Sequence, residues 1–275
     1  MCATALRSPA VAGRFYPGER QALEHELDRC LGEPIQPSAW FPHALGCVVP
    51  HAGYMYSGHV AGAVYRRLPA RQRFLILGPN HFGRGEPLAL MSEGQWLTPL
   101  GPAPLDATFA RALQRHLPSL ADDAVAHAAE HSLEVQVPFL QRVMPPFTFV
   151  PVAIGVSDFP SLEALGHAIA QALAAMHERP LIVASSDMNH YEPDAITRVK
   201  DHEAIEQILA LDPRELYDVI HRRDISMCGY GPVVAMLTAA RELGARRATL
   251  IQYTTSADTS GDRSAVVGYA GIIIE

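Results

Sequence analysis

Apolar runs rich in β-branched residues alternate along this chain with segments whose apolar side chains recur every three or four positions. The runs at 45–49, 73–77, 88–91, 148–153, 181–184, 249–253 and 265–274 predict strands. The segments 20–31, 58–68, 106–117, 133–143, 162–176, 194–210, 213–221 and 232–242 predict helices. Such alternation predicts an α/β fold, a central and mostly parallel sheet sandwiched between helix layers. The last run carries Ile272, Ile273 and Ile274, as a central buried strand would. Asp106 and Ser161 suit helix N-caps, and Pro232 suits a first helical turn. The proline-rich stretch 33–42 and the segment 98–104 read as surface connections. Neither is long enough to separate the chain into domains, so residues 1–275 are expected to form a single one.

Composition narrows the function. Hydrophobic residues make up 48% of the 275, enough for a sizeable core. The net charge of -7 leaves no excess of Lys or Arg to neutralise phosphates, so no nucleic-acid partner is expected. No apolar run reaches the roughly eighteen residues of a membrane span, and none is expected. The first residues lack the basic-then-apolar layout of a signal peptide, which predicts a cytoplasmic protein. The cysteines (Cys2, Cys30, Cys47 and Cys228) form no CxxC pair, and a disulfide framework is not expected.

Chemistry gathers where strands run out into loops. His51 follows the first run, in Pro50-His51-Ala52-Gly53. His81 follows the second, in Gly78-Pro79-Asn80-His81, and Asp187 and His190 follow the fifth. Ligands of open α/β sheets bind beyond the carboxyl ends of the strands. Three histidines at one such edge suggest a metal or acid–base site, against the plainer reading of turn histidines satisfied by water. Gly53, Gly58 and a helix from 58 would bring backbone close to a bound species. Spacing leaves His190 as a ligand, a general base or a donor behind the ligands. Ser185-Ser186-Asp187 also reads as a helix N-cap.

Glu130 and Glu134 fall four apart at a predicted helix start, where the macrodipole favours carboxylates whatever their function. His131 between them is less favoured there, and a neutral imidazole would suit acid–base work. Cys228 precedes a helix, a position that lowers thiol pKa values, although a buried thiol is the plainer reading. The remaining nine histidines, His127 among them, receive no role. No Gly-x-Ser-x-Gly elbow supports a serine hydrolase, and no glycine-rich phosphate loop supports a nucleotide fold.

The ordered set of segments resembles the Memo family, also called AmmeMemoRadiSam system protein B. It runs from Ala12-Gly13-Arg14-Phe15-Tyr16-Pro17 through Pro50 to Gly58 and Leu77 to His81. Glu130 to Glu134, Ser185 to Asp187 with His190, and Cys228 to Pro232 continue it, so the resemblance covers nearly the whole chain. It implies the fold of class III extradiol dioxygenases, which hold non-haem Fe(II) with two histidines and a glutamate. By that resemblance His51 and His81 are the histidine ligands, and Cys228 stands where those enzymes have the carboxylate. His190 matches their acid–base histidine, His131 lines the cleft, and Asp187 orients His190 or faces the opening. A thiolate for a carboxylate shifts preference toward softer ions, leaving iron(II) and copper as the expected metals. Two functions follow. One is a redox enzyme, dioxygenase-like, acting on a small (aromatic) substrate; the other is an interaction or metal-handling protein using the same cleft. The resemblance also implies radical-SAM and AMMECR-type protein partners.

Overall fold

Each predicted strand and helix is present in the computed structural model, which describes residues 5–275. In chain order the strands are β1 (Leu6–Arg7), β2 (Gly46–Val49), β3 (Arg73–Pro79), β4 (Leu88–Leu90), β5 (Gln95–Thr98), β6 (Gly101–Pro104), β7 (Ala121–Asp122), β8 (Thr148–Ile154), β9 (Leu181–Ser185), β10 (His190–Glu192), β11 (Ala248–Thr255) and β12 (Val266–Ile274). The helices are α1 (Arg20–Leu31), α2 (Tyr54–Tyr65), α3 (Ala107–His116), α4 (Val137–Val143), α5 (Phe159–Ala174), α6 (Asp194–Leu209), α7 (Pro213–Arg222), α8 (Tyr230–Glu242) and the short α9 (Ala257–Ser260). Cys2 lies outside the described residues.

Nine strands form one sheet in the order β10-β12-β2-β9-β3-β8-β4-β7, with β11 paired to β12. The expected parallel block is its centre, β2, β9, β3 and β8. The flanks turn antiparallel, β12 against β2 and β4 against β8. Side chains alternate across the block. Leu75 and Leu77 face a core under α3, α5, α6 and α8, whereas Phe74 and Ile76 face one under α1, α2 and α4. Ile272, Ile273 and Ile274 are fully buried, as expected of an interior strand.

Several local expectations need correction. Segment 98–104 is not a plain connection but the turn and second strand of the β5–β6 hairpin, in a small sheet with β1. Trp96, 1% exposed, anchors it, while Pro102 and Pro104 sit on β6, which pairs only with β5. Asp158, not Ser161, caps α5, accepting from the Ser161 N–H. The helix expected from 58 begins at Tyr54. The one expected from 133 starts as a 3-10 turn at Glu134–Gln136, so Glu130 lies ahead of it. No helix of the described residues is long and apolar enough to cross a membrane.

β2, β9 and β3 are direct neighbours. Two residues beyond the ends of these strands lie His51, Asp187 and His81. The sheet therefore delivers all three to one edge, next to the loop that enters α8 at Cys228.

Candidate metal centre

His51 is almost fully buried, and its partners fix its tautomer. The Ser185 hydroxyl donates to the Ser132 carbonyl, so toward His51 it accepts, from Nδ1–H at 3.0 Å. The Nε2 lone pair is left facing the Cys228 Sγ, 3.1 Å away. Burial, and then the neighbouring imidazoles, push the His51 pKa well down, so the ring is neutral and available as a ligand.

His81 follows the same plan with a stronger partner. Its Nδ1–H donates to Glu130 Oε1 at 2.9 Å, and its backbone N–H to Glu130 Oε2 at 2.7 Å. Glu130 is fully buried and also accepts from the Ser132 N–H. Burial would raise its carboxyl, but these hydrogen bonds outweigh that and hold it at about 2. An ionised carboxylate behind an imidazole sets ring orientation and raises ligand basicity. Glu130 is itself held through its backbone. Arg7 donates to the carbonyls of Glu130 and His127, and forms a buried ion pair with Glu134 at 2.6 Å.

The His81 and His131 rings stack at 4.6 Å, and His51 meets both edge-on, at 5.1 and 5.5 Å. His131 is kept neutral, as expected, with its pKa down at about 4. The cause is burial rather than a helix N-terminus, since the chain around it is a turn. Cys228 follows its plainer reading, a buried thiol, and not the lowering expected of a helix start. Although α8 starts two residues later, burial and the nearby Asp187 push its thiol up. A thiolate at this position therefore calls for a metal cation rather than for the helix alone.

The donor atoms of His51, His81 and Cys228 lie within 4.8 Å of one another. His81, Glu130 and His131 form an overlapping group of similar spread. The first set offers two imidazole nitrogens and a sulfur, while the Glu130 oxygens are engaged by His81 and Ser132. It fits a borderline or soft transition ion better than a hard one.

His190 donates Nδ1–H to the Ser226 carbonyl at 2.8 Å, leaving Nε2 as its lone-pair atom. Asp187 does not orient it, since no hydrogen bond joins the two among the described residues. Asp187 instead accepts from the His51 N–H at 2.7 Å and holds that turn, with no helix for it to cap. Burial raises its pKa. Sequence reasoning missed the supports Ser185, Ser226 and Arg7, and gave Glu130 no role in the site. The Glu130-His131 adjacency was the one available signal.

A cavity of about 210 Å³ opens onto His81 and Cys228, walled by Pro79, Ile154, Val156 and Tyr230. A larger basin of about 860 Å³ lies at the opposite sheet edge, around His43, Arg71, Glu178 and Glu275. The chemistry belongs to the smaller one, because the convergent ligands are there.

The family model for "Memo-like protein" matches residues 7–273. A MEMO1 family protein of Methanosarcina mazei is 45% identical, over 98% of this chain and 99% of its own. One from Pyrobaculum aerophilum is 42% identical over 98% of each chain. One from Methanocaldococcus jannaschii is 40% identical over 98% and 99%. Among solved structures, an uncharacterised protein of Escherichia coli K12 superposes with a TM-score of 0.57 at 15% identity, covering 83% of this chain and 98% of that one. That likeness is one of fold. With a family match over nearly its whole length and relatives of 40% identity or more, this chain belongs to the Memo-like protein family.

Proposed function

We propose that His51, His81 and Cys228 hold one redox-active transition ion, iron(II) or copper, and that the protein is a metal-dependent oxidoreductase acting on a small substrate. The observation that carries this reading is the shared preparation of the two histidines. Each spends Nδ1–H on a protein acceptor and turns Nε2 inward, toward a thiol the fold keeps protonated without a cation. Iron or copper in that set would supply electron transfer between a substrate and an oxidant such as dioxygen.

The surrounding residues contribute positioning and proton handling. Glu130 fixes His81, and Ser185 fixes His51. His190 keeps Nε2 free to take a proton from a substrate hydroxyl, and Ser226 holds the ring in the matching tautomer. His131, neutral and stacked on His81, offers a flat wall to a bound molecule.

The test is metal content of anaerobically purified protein beside His51→Ala and Cys228→Ala. Stoichiometric iron or copper in the wild type, lost in both variants, is expected. Oxygen uptake with small phenols then reads the redox step, with His190→Ala retaining metal but losing turnover. Wild type that refuses both ions on titration would overturn the reading.

The thiolate also favours a second reading, a metal-handling or interaction protein using the same cleft. Rapid Cu(I) exchange without turnover would select it. Radical-SAM and AMMECR-type proteins are the proposed partners, and recovery of neither from the native host in a pull-down would remove them.

A further inference from the structure

We propose that the mouth of the centre selects a small planar anion, such as an aromatic carboxylate, which Arg14 and Arg84 hold beyond a wall of aromatic rings. This rests on reading the centre as a reactive metal site. The wall begins at the ligands and runs outward. His131 stacks on His81, the Phe15 ring lies 4.8 Å from His131, and the Phe82 ring lies 6.4 Å from it. Phe82 is 52% exposed, so its ring is open to a ligand at the outer end of the wall.

Two cations stand at the outer end of this wall. The Arg84 guanidinium carbon is 5.9 Å from the Phe82 ring centroid. Arg14 and Phe15 share one turn, both backbone N–H groups donating to the Val11 carbonyl. Both arginines are exposed, and neither guanidinium has a carboxylate or hydrogen-bond acceptor among the described residues. Arg115, Arg179, Arg241 and Arg246 are similarly unengaged, but none of them stands against a ring of this wall.

At the floor, the charge of a bound metal ion would be offset by the buried Glu130 carboxylate and by the Cys228 thiolate. The uncompensated positive charge then stands at the rim, where it favours a ligand's negative charge. That polarity orients a planar anion with its ring toward the metal ligands and its carboxylate toward the two forks. Guanidinium suits this task because it pairs bidentately with carboxylate and stacks on aromatic faces.

The probes are benzoate and its neutral counterpart benzyl alcohol, titrated at low salt and followed by ligand NMR. The proteins are wild type, Arg14→Gln, Arg84→Gln and the double variant. Wild type is expected to bind benzoate about tenfold more tightly than benzyl alcohol, the size two partly exposed ion pairs can give. The double variant is expected to bring that ratio near one while leaving benzyl alcohol affinity and metal content unchanged. Equal affinities in the wild type, or a preference that survives the double substitution, would overturn the proposal. Metal content of the same samples separates the two readings: charge preference without metal loading sinks the redox assignment alone, and loading without charge preference sinks this one alone.

Discussion

Three histidines of the centre, His51, His81 and His190, share one arrangement, with Nδ1–H given to a protein acceptor and Nε2 left with its lone pair. The acceptors differ in strength. Ser185 and the Ser226 carbonyl are neutral, whereas Glu130 is a buried carboxylate held at about 2. His81 is thus the ligand whose basicity depends most on its partner. Glu130→Gln keeps an acceptor of the same shape and removes the charge. Metal affinity is expected to fall by about 10- to 100-fold. Competition against a chelator of known affinity reads this, and unchanged affinity would reduce Glu130 to a packing role. Sequence alone could not promote Glu130, because carboxylates near a helix start are common for dipole reasons. His51 and His81 were legible because each stood in a loop at a strand end, where few residues are able to bind metal, whereas Cys228, between α7 and α8, was marked by the helix after it and by the family resemblance.

At the scale of elements, close packing of α1 on α2 sets how the chain leaves the His51 turn. Gly58 and Gly62 are one turn apart on α2, and a Cβ at Gly62 would lie 2.2 Å from the Cys30 carbonyl oxygen. Gly→Ala inside an exposed helix adds up to about 1 kcal/mol of stability through propensity. Here the obstructing atom is backbone, so the helices must separate, which costs about 1–3 kcal/mol. The clash exceeds the propensity gain. Gly62→Ala is therefore expected to lower the urea midpoint, and a raised midpoint would show that the two helices can move apart freely. The same scale explains what the pattern of apolar positions reached. Long periodic segments such as 20–31 and 194–210 gave their helices to within a residue, and the β-branched runs gave the block β2, β9, β3 and β8. β6 was hidden by Pro102 and Pro104, which an edge strand tolerates. β1 is two residues long, so Arg7, the clamp on Glu130 and Glu134, had no periodic signal around it.

For the whole molecule, the pH dependence of stability is set by buried groups of opposite sign. His127 is fully buried, its ring nitrogens have no hydrogen-bond partner among the described residues, and burial brings its pKa down to about 4. Between about 4 and 6.5 the unfolded chain binds a proton there that the folded chain does not. Stability from this group rises with pH across that window, by on the order of 3 kcal/mol. Asp201 acts the other way. Burial raises its carboxyl to about 7, against hydrogen bonds from the Asn189 N–H and the Tyr253 hydroxyl. Between about 4 and about 7 the folded chain holds a proton that the unfolded chain has lost. Stability from Asp201 therefore falls as pH climbs, by on the order of 4 kcal/mol. His51 and His131 act in the same direction as His127, so each group is read from the difference between its own variant and wild type. Denaturant unfolding of chelator-treated protein at pH 4.5, 5.5 and 6.5 separates them. Relative to wild type, Asp201→Asn is expected to gain stability steadily as pH rises, and His127→Leu to lose it over the same interval. Parallel profiles for wild type and Asp201→Asn would mean that Asp201 is ionised in the fold throughout. The burial beneath Asn189, which joins Asp201 to the His190 loop, would then be wetter than its packing against Gly268 implies.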